Sequence, residues 1–282
     1  MRTAANPAAP QSEHRATRGG GPPRTLARWA RDYLPALLLL AGLLGLWEAW
    51  VAAFDTKPYV LPAPSRVWEA FLQTREALPR HIRATLGEAL LGLGLAAVVG
   101  VLLAAALALV PFVRRVLYPI IVVTQTVPMV VLAPLLIIWF GFGMTPKVLV
   151  VALVGFFPIV VSTYDGLASA DREMSGLVRS MGGGRWAVFR YVLVPGAVPA
   201  FFAGLKIAAA YAMFGAVVGE WVGAHEGIGV YINRAQASFR VDRVFVGVAV
   251  IALLSMALFA AVHLIERVTT PWKFTHREEP HQ

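Results

Sequence analysis

The sequence predicts an all-α polytopic membrane protein with six transmembrane helices and both termini on the cytoplasmic side. Three observations predict it. The 282-residue chain is 58% hydrophobic and only 15% charged, with a mean hydropathy of +0.66; a soluble domain of this size exposes far more charge. Six apolar runs, each near the ~20 residues that cross a bilayer as helix, occupy 33–54, 85–110, 117–140, 147–164, 199–222 and 244–265. With the N-terminus inside, fifteen Lys and Arg fall on cytoplasmic segments and nine on outer ones, the sign that the positive-inside rule requires.

Composition also excludes function classes. The net charge is +9, yet no basic stripe with interleaved aromatics occurs and the arginines sit between apolar runs. Membrane topology and anionic lipid heads account for them, and nucleic acid is not an expected partner. With no cysteine, there is no disulfide framework and no thiolate ligand or nucleophile.

Residues 1–30 read as a disordered basic tail, because Ala, Pro, Gly, Arg and Thr cannot bury enough surface to offset ordering entropy. The segment 31–80 holds the first span and an outer amphipathic stretch. A cleaved signal peptide is disfavoured for the first span, since Trp47 and Glu48 interrupt the approach to a cleavage site. In the outer stretch Ser65 is the expected N-cap, followed by Val67, Trp68, Phe71 and Leu72 at helical spacing. A helix lying on the membrane face and an ordinary packed loop helix are both open readings.

The third span carries Pro119, Pro128 and Pro134, with Thr124, Gln125 and Thr126 just before Pro128. Proline kinks a helix and mid-depth polar groups need partners or water. A solute path through Gln125, Pro128 and Met129 is one reading; a satisfied interhelical hydrogen bond is the other. In the fifth span Gly204, Ala208 and Ala212, then Gly215, Gly219 and Gly223, recur every three or four residues. This stripe allows another helix to approach closely, within the subunit or across a dimer. Gly100 on the second span is expected to be the slacker position.

Four ionisable groups fall in the spans. Glu48 and Glu88 are expected at the headgroups, Lys206 snorkelling toward the cytoplasm, and Glu220 at the outer mouth of the path. No catalytic constellation is present: His81, His225 and His263 are scattered, and neither HExxH, GxSG nor a phosphate-binding loop occurs. The chain is not expected to be an enzyme, and no metal or cofactor site is expected.

Between the fourth and fifth spans lies a cytoplasmic loop, expected over 165–198. Asp171, Arg172, Glu173 and Met174 open a helix, Gly182-Gly183-Gly184 breaks it, and Arg185-Trp186 begins a second stretch ending at Pro195. Leu177, Val178, Met181, Trp186 and Phe189 are apolar residues that a solvent-facing loop displays when a partner covers them. Here the chain resembles the permease subunits of bacterial ATP-binding-cassette (ABC) importers, whose signature is Glu-Ala-Ala, three residues, Gly, nine residues, Ile-x-Leu-Pro. Gly182 supplies the glycine and Val192-Leu193-Val194-Pro195 the ending, while Gly176-Leu177-Val178 departs from the leading triplet. YVLPAPSRV (59–67), APLLIIWFGFG (133–143) and FFP (156–158) resemble the sulfonate, taurine, nitrate and thiamine-pyrimidine branch.

The resemblance implies a type I ABC importer permease fold over 81–268, a cytoplasmic tail over 269–282, and a place in the bacterial inner membrane. It implies a coupling surface made by Arg172, Glu173, Gly176, Leu177, Val178, Met181, Gly182, Arg185, Trp186 and Pro195. It implies partners as well: two cytoplasmic ATPase subunits that use ATP and Mg, a second permease copy forming a homodimer, and an external solute-binding protein. The stretch 214–245 is most similar to pyrimidine importers. The outer glutamates suit a neutral or cationic solute, whereas Arg234, Arg240 and Arg243 favour an anion. Aliphatic sulfonate, taurine, nitrate and riboflavin remain alternative cargoes, and a secondary transporter is an alternative class, though neither inverted repeats nor buried coupling-ion groups are evident.

Overall fold

The computed structural model describes residues 26–271, with side chains from Leu34 onward except that of Arg172. Most of the expected N-terminal tail and nearly all of the C-terminal one lie outside the described residues. Among those described, every regular element is helical. In order they are α1 (Leu26–Ala53), α2 (Pro64–Thr74), α3 (Leu78–Leu109), α4 (Pro111–Thr124), α5 (Met129–Phe140), α6 (Met144–Ala168), α7 (Arg172–Ser180) and α8 (Arg185–Val188). A π-helical turn (Phe189–Leu193) follows, then α9 (Val194–Glu220), α10 (Ile228–Ala237) and α11 (Val241–Thr269).

The chain divides into two compact units at Trp50/Val51. The first contains most of α1, whose Leu37, Leu38, Leu39, Leu40 and Leu43 are all exposed; an apolar helix with bare leucines suits lipid. The second unit is built on α3, α6 and α9. Its core is rich in alanine, with Ala89, Ala96, Ala152, Ala208, Ala212 and Ala216 packed around Val151, Ile159 and Met213. Apolar tails in lipid give helices no hydrophobic reason to associate, so close backbone approach and dispersion must hold them. The glycines supply that approach. Gly219 faces Lys147, Gly215 faces Val151, Gly204 faces Pro158 and Ser162, and Gly166 faces Ala197 and Ala200. Numbers rise on α9 as they fall on α6, so the two helices run antiparallel, and the stripe is turned to α6 of the same chain. Gly100 is tight as well: a Cβ there would lie 2.8 Å from Ile159 Cγ2, closer than the 3.1 Å that separates one on Gly219 from Lys147 Cα. The expectation that it is slack does not hold, because α3 packs on α6 as closely as α9 does.

The run 117–140 is not one straight crossing. It breaks after Thr124, and α4 and α5 meet at 104°. Pro128 is the N-cap of α5 with extended ψ of 121°, and without an N–H it cannot continue the helix before it. Among the described residues, five helices are long and apolar enough to cross a membrane, six if the bent pair counts as one crossing.

Two further expectations are corrected. Ser65 is not the cap of α2; Ala63 is, with Pro64 in the first turn, where a missing N–H costs nothing. Within the expected loop of 165–198, α6 runs on to Ala168 and two short helices follow, α7 and α8, on either side of the Gly182–Gly184 turn. Pro195 does not end the second stretch. The π-helical turn before it widens the ladder, with Val194 N–H reaching back to Phe189 O, and Pro195 then falls in the first turn of α9, where it is tolerated.

Candidate functional site

A cavity of about 680 Å³ lies where the α4–α5 break faces α6, α9 and α11. Gln125, Pro128 and Met129 line it from the break, Val154 from α6, Tyr211 and Phe214 from α9, and Ser255 from α11. Val154 and Ser255 fall near the middle of their helices, so the cavity is at mid-depth. Its walls contain no charged residue. The polar groups are an amide, a phenol and an aliphatic hydroxyl, set among aromatic and aliphatic faces. Such a lining can hydrogen-bond a neutral solute and stack on a flat ring.

Three of the four residues expected on the path therefore share this cavity, and Glu220 does not. Sequence reasoning missed Tyr211, Phe214 and Ser255. A signal existed for two of them: Ile207, Tyr211 and Phe214, spaced four and three apart, are all exposed and form a large-residue stripe on α9 beside the glycine stripe.

Glu220 ends α9 and is 1% exposed. Its Oε1 accepts from Thr85 Oγ1 at 2.5 Å and its Oε2 from the amide of Gly229. Thr85 Oγ1 in turn accepts from Ile228 N at 2.8 Å, and His81 Nδ1 accepts from Gly227 N at 3.1 Å. Three consecutive amides at the start of α10 are thus satisfied by side chains from α3 and α9. A helix N-terminus leaves such donors orphaned and carries partial positive charge, so a carboxylate there is doubly favoured. The expectation of Glu220 at an open mouth is replaced by a buried cap. Gly227, at φ +133°, has no room for a Cβ beside the Glu220 carboxyl.

Glu88 does not face outward either. It is 3% exposed and takes Lys147 Nζ at 2.6 Å. Lys206 does not snorkel freely; its Nζ lies 2.8 Å from Glu266 Oε2. Glu266 is fully buried on α11 and was placed just beyond the expected sixth span, because α11 runs on to Thr269. Each ion pair ties two spanning helices, α3 to α6 and α9 to α11, where an unpaired charge would be prohibitive.

At the opposite end from α10, Asp171 caps α7 by accepting from Glu173 N at 2.8 Å, and Gly182 turns the chain at φ +87°. Met174, Leu177, Met181 and Trp186 are 50–80% exposed, large apolar side chains within one short segment that water does not favour. Glu173, Gly176, Gly182 and Arg185 are exposed beside it. Val178 is half-buried and folds against the Gly183 turn. Gly223, at φ +78°, abuts the Phe142 ring beyond the other end of α9.

Residues 96–271 match the family described as binding-protein-dependent transport system inner membrane component. The chain is 38% identical to the formylaminopyrimidine transport permease protein ThiX of Halalkalibacterium halodurans, over 85% of this chain and 95% of that one. It is 37% identical to the riboflavin transport system permease protein RibX of Chloroflexus aurantiacus, over 89% and 94%. It is 32% identical to the taurine transport system permease protein TauC of Escherichia coli, over 87% and 92%. In fold it is similar to a chain of the MetNI methionine ABC transporter in an inward-facing conformation, with a TM-score of 0.57 at 17% identity, covering 68% of this chain and 98% of that one. The chain belongs to the binding-protein-dependent inner membrane component family, as a multi-pass, non-catalytic permease subunit of an ABC importer whose ATPase is a separate subunit.

Proposed function

We propose that this subunit translocates a small, neutral, flat heterocycle of the thiamine-precursor pyrimidine type through the mid-depth cavity. The lining carries this reading: Gln125, Tyr211 and Ser255 offer neutral hydrogen-bonding groups beside Phe214, with no charge in the walls. A sulfonate or nitrate loses its hydration on entering such a site and gains no cation in return. The names of the ThiX and RibX relatives, both carriers of nitrogen heterocycles, point the same way. Riboflavin is the second reading, favoured by the size of the cavity.

In this reading the end bearing α7 faces the cytoplasm, in keeping with the Lys and Arg bias. Its exposed apolar residues seat in an ATPase, two permease copies enclose the path, and an external binding protein delivers solute at the end bearing α10. The test is uptake by proteoliposomes holding the full transporter, with labelled formylaminopyrimidine, riboflavin and taurine offered in parallel. ATP-dependent uptake of the pyrimidine is expected, reduced by Tyr211→Ala and Gln125→Ala without loss of assembly. Preferential uptake of taurine overturns the cargo, and uptake indifferent to ATP overturns the class.

A further inference from the structure

Helix α10 ends in an uncommon way. Phe239 N–H reaches Gln236 O at 3.0 Å and Arg240 N–H reaches Ala235 O at 2.9 Å, the paired bonds of a Schellman motif, in which the left-handed residue is ordinarily glycine. Here it is Phe239, at φ +53°, a conformation that a bulky residue is strained to hold. Burial within the chain does not offset that strain, because Phe239 is 77% exposed.

Phe239 is one wall of a cavity of about 300 Å³, with Pro58, Tyr59, Arg66, Arg240 and Asp242 among the others. Two guanidinium groups therefore share the walls with one carboxylate. That carboxylate is committed: Asp242 accepts from Arg240 Nε at 3.1 Å and Nη2 at 2.9 Å, and from the amide of Arg243 at 2.9 Å. The planar Arg240 fork is thus fixed in advance. Arg66 interacts with Asp242 electrostatically, but its guanidinium makes no hydrogen bond among the described residues. The cavity is left with net positive charge beside two exposed aromatic residues, Tyr59 and Phe239.

Guanidinium groups pair with carboxylates, and aromatic side chains with Arg are the usual anchors of protein interfaces. A free small acid would meet the arginines and leave the rings bare, whereas a protein surface covers both. The family to which the chain belongs is described as binding-protein-dependent. We propose that this cavity is a docking socket for an acidic side chain, Asp or Glu, of the external binding protein, with Phe239 and Tyr59 packed against the surface around it. The socket rests on the function proposed above, in placing the end bearing α10 outside and a binding protein there, and is independent of the cargo.

The test uses the full transporter in lipid nanodiscs, where both faces are open, titrated with its own purified binding protein. Wild type should bind with an affinity that falls as salt is raised. Arg66→Glu should weaken binding about tenfold or more, and Phe239→Gly, which removes the ring, about threefold to tenfold. Arg75→Glu, the same charge change at the exposed far end of α2, should bind as wild type does. Equal binding by wild type and Arg66→Glu overturns the socket and leaves the proposed function standing. Equal weakening by Arg66→Glu and Arg75→Glu shows a general charge effect and overturns it too. Normal binding by Phe239→Gly with an altered number of permease copies gives the ring to a second copy and overturns its docking role. Failure of wild type to bind overturns the proposed function and the socket together. Glycine suits the left-handed position, so Phe239→Gly remains informative should Arg66→Glu fail to fold.

Discussion

A Cβ placed on Gly219 of α9 would stand 3.1 Å from the Cα of Lys147 on α6, so the two backbones touch with no side chain between them. Gly215 meets the Cα of Val151 at the same distance one turn away. The glycine stripe is thus an internal seam; both helices it joins line the cavity, and α6 also carries Lys147, the partner of Glu88 on α3.

Gly219→Leu should force α6 and α9 apart. Overpacking costs about 1–3 kcal/mol where neighbours can shift, and backbone cannot shift as a side chain does, so a loss at the upper end is expected. Gly100→Leu, against Ile159, should also be damaging, whereas Gly94→Leu should be silent. Thermal unfolding of the three purified variants checks the order; a mild Gly219→Leu would show that the seam is slack.

Removing the cap of α10 should loosen that helix without unfolding the spans. Glu220→Ala strands the buried Gly229 amide, at about 1–3 kcal/mol, while the Thr85 hydroxyl keeps the His81 carbonyl at 3.1 Å as an acceptor. Glu220→Gln keeps an acceptor and should lose less. Amide hydrogen exchange over Ile228–Ala237 is the measurement, with faster exchange expected in the order wild type, Gln, Ala.

The Lys147–Glu88 pair lends itself to a rescue experiment. Lys147→Met leaves the buried Glu88 without its cation, at a loss of about 3–5 kcal/mol. Adding Glu88→Leu removes the stranded carboxyl and should recover most of that stability. No recovery in the double variant would mean that Lys147 holds the fold through its packing beside Gly219 and not through its charge.

The exposed face of α7 should be dispensable for folding and required for partnership. Leu177→Asp with Met181→Asp is expected to leave thermal stability within about 0.5 kcal/mol of wild type, as exposed substitutions generally do, while co-purification of the ATPase is lost. Val178 is a poor choice for this experiment, being half-buried at the Gly183 turn. Since the chain has no cysteine, Leu177→Cys offers a single label, expected to react with an impermeant reagent in inside-out vesicles and not in right-side-out ones. Reaction from outside would reverse the orientation.

The class of protein, the six apolar runs and the α7–Gly182 turn were legible in the sequence, because each rests on local chemistry. Hydrophobic length, proline, an Asp cap and a glycine at positive φ act within a few residues of where they stand. Gln125 and Pro128 marked the break for the same reason. Partnership across helices was not legible. That Glu88 meets Lys147 and Lys206 meets Glu266, and that Gly100 is as tight as Gly219, depend on which residues more than 50 positions apart come to share a contact; that Glu220 caps α10 depends on the chain turning back within nine residues and on Thr85 of α3 meeting it there. Such pairs are chosen by the way α3, α6 and α9 stack, and a polar side chain inside a membrane reads alike in sequence whether it lines a cavity or closes a hydrogen bond. Sequence alone determined that this chain crosses a membrane as helices and displays apolar side chains on the α7 segment; tertiary structure alone decided which of its polar groups are consumed in holding it together and which, as at Gln125, Tyr211 and Ser255, are left facing a cavity.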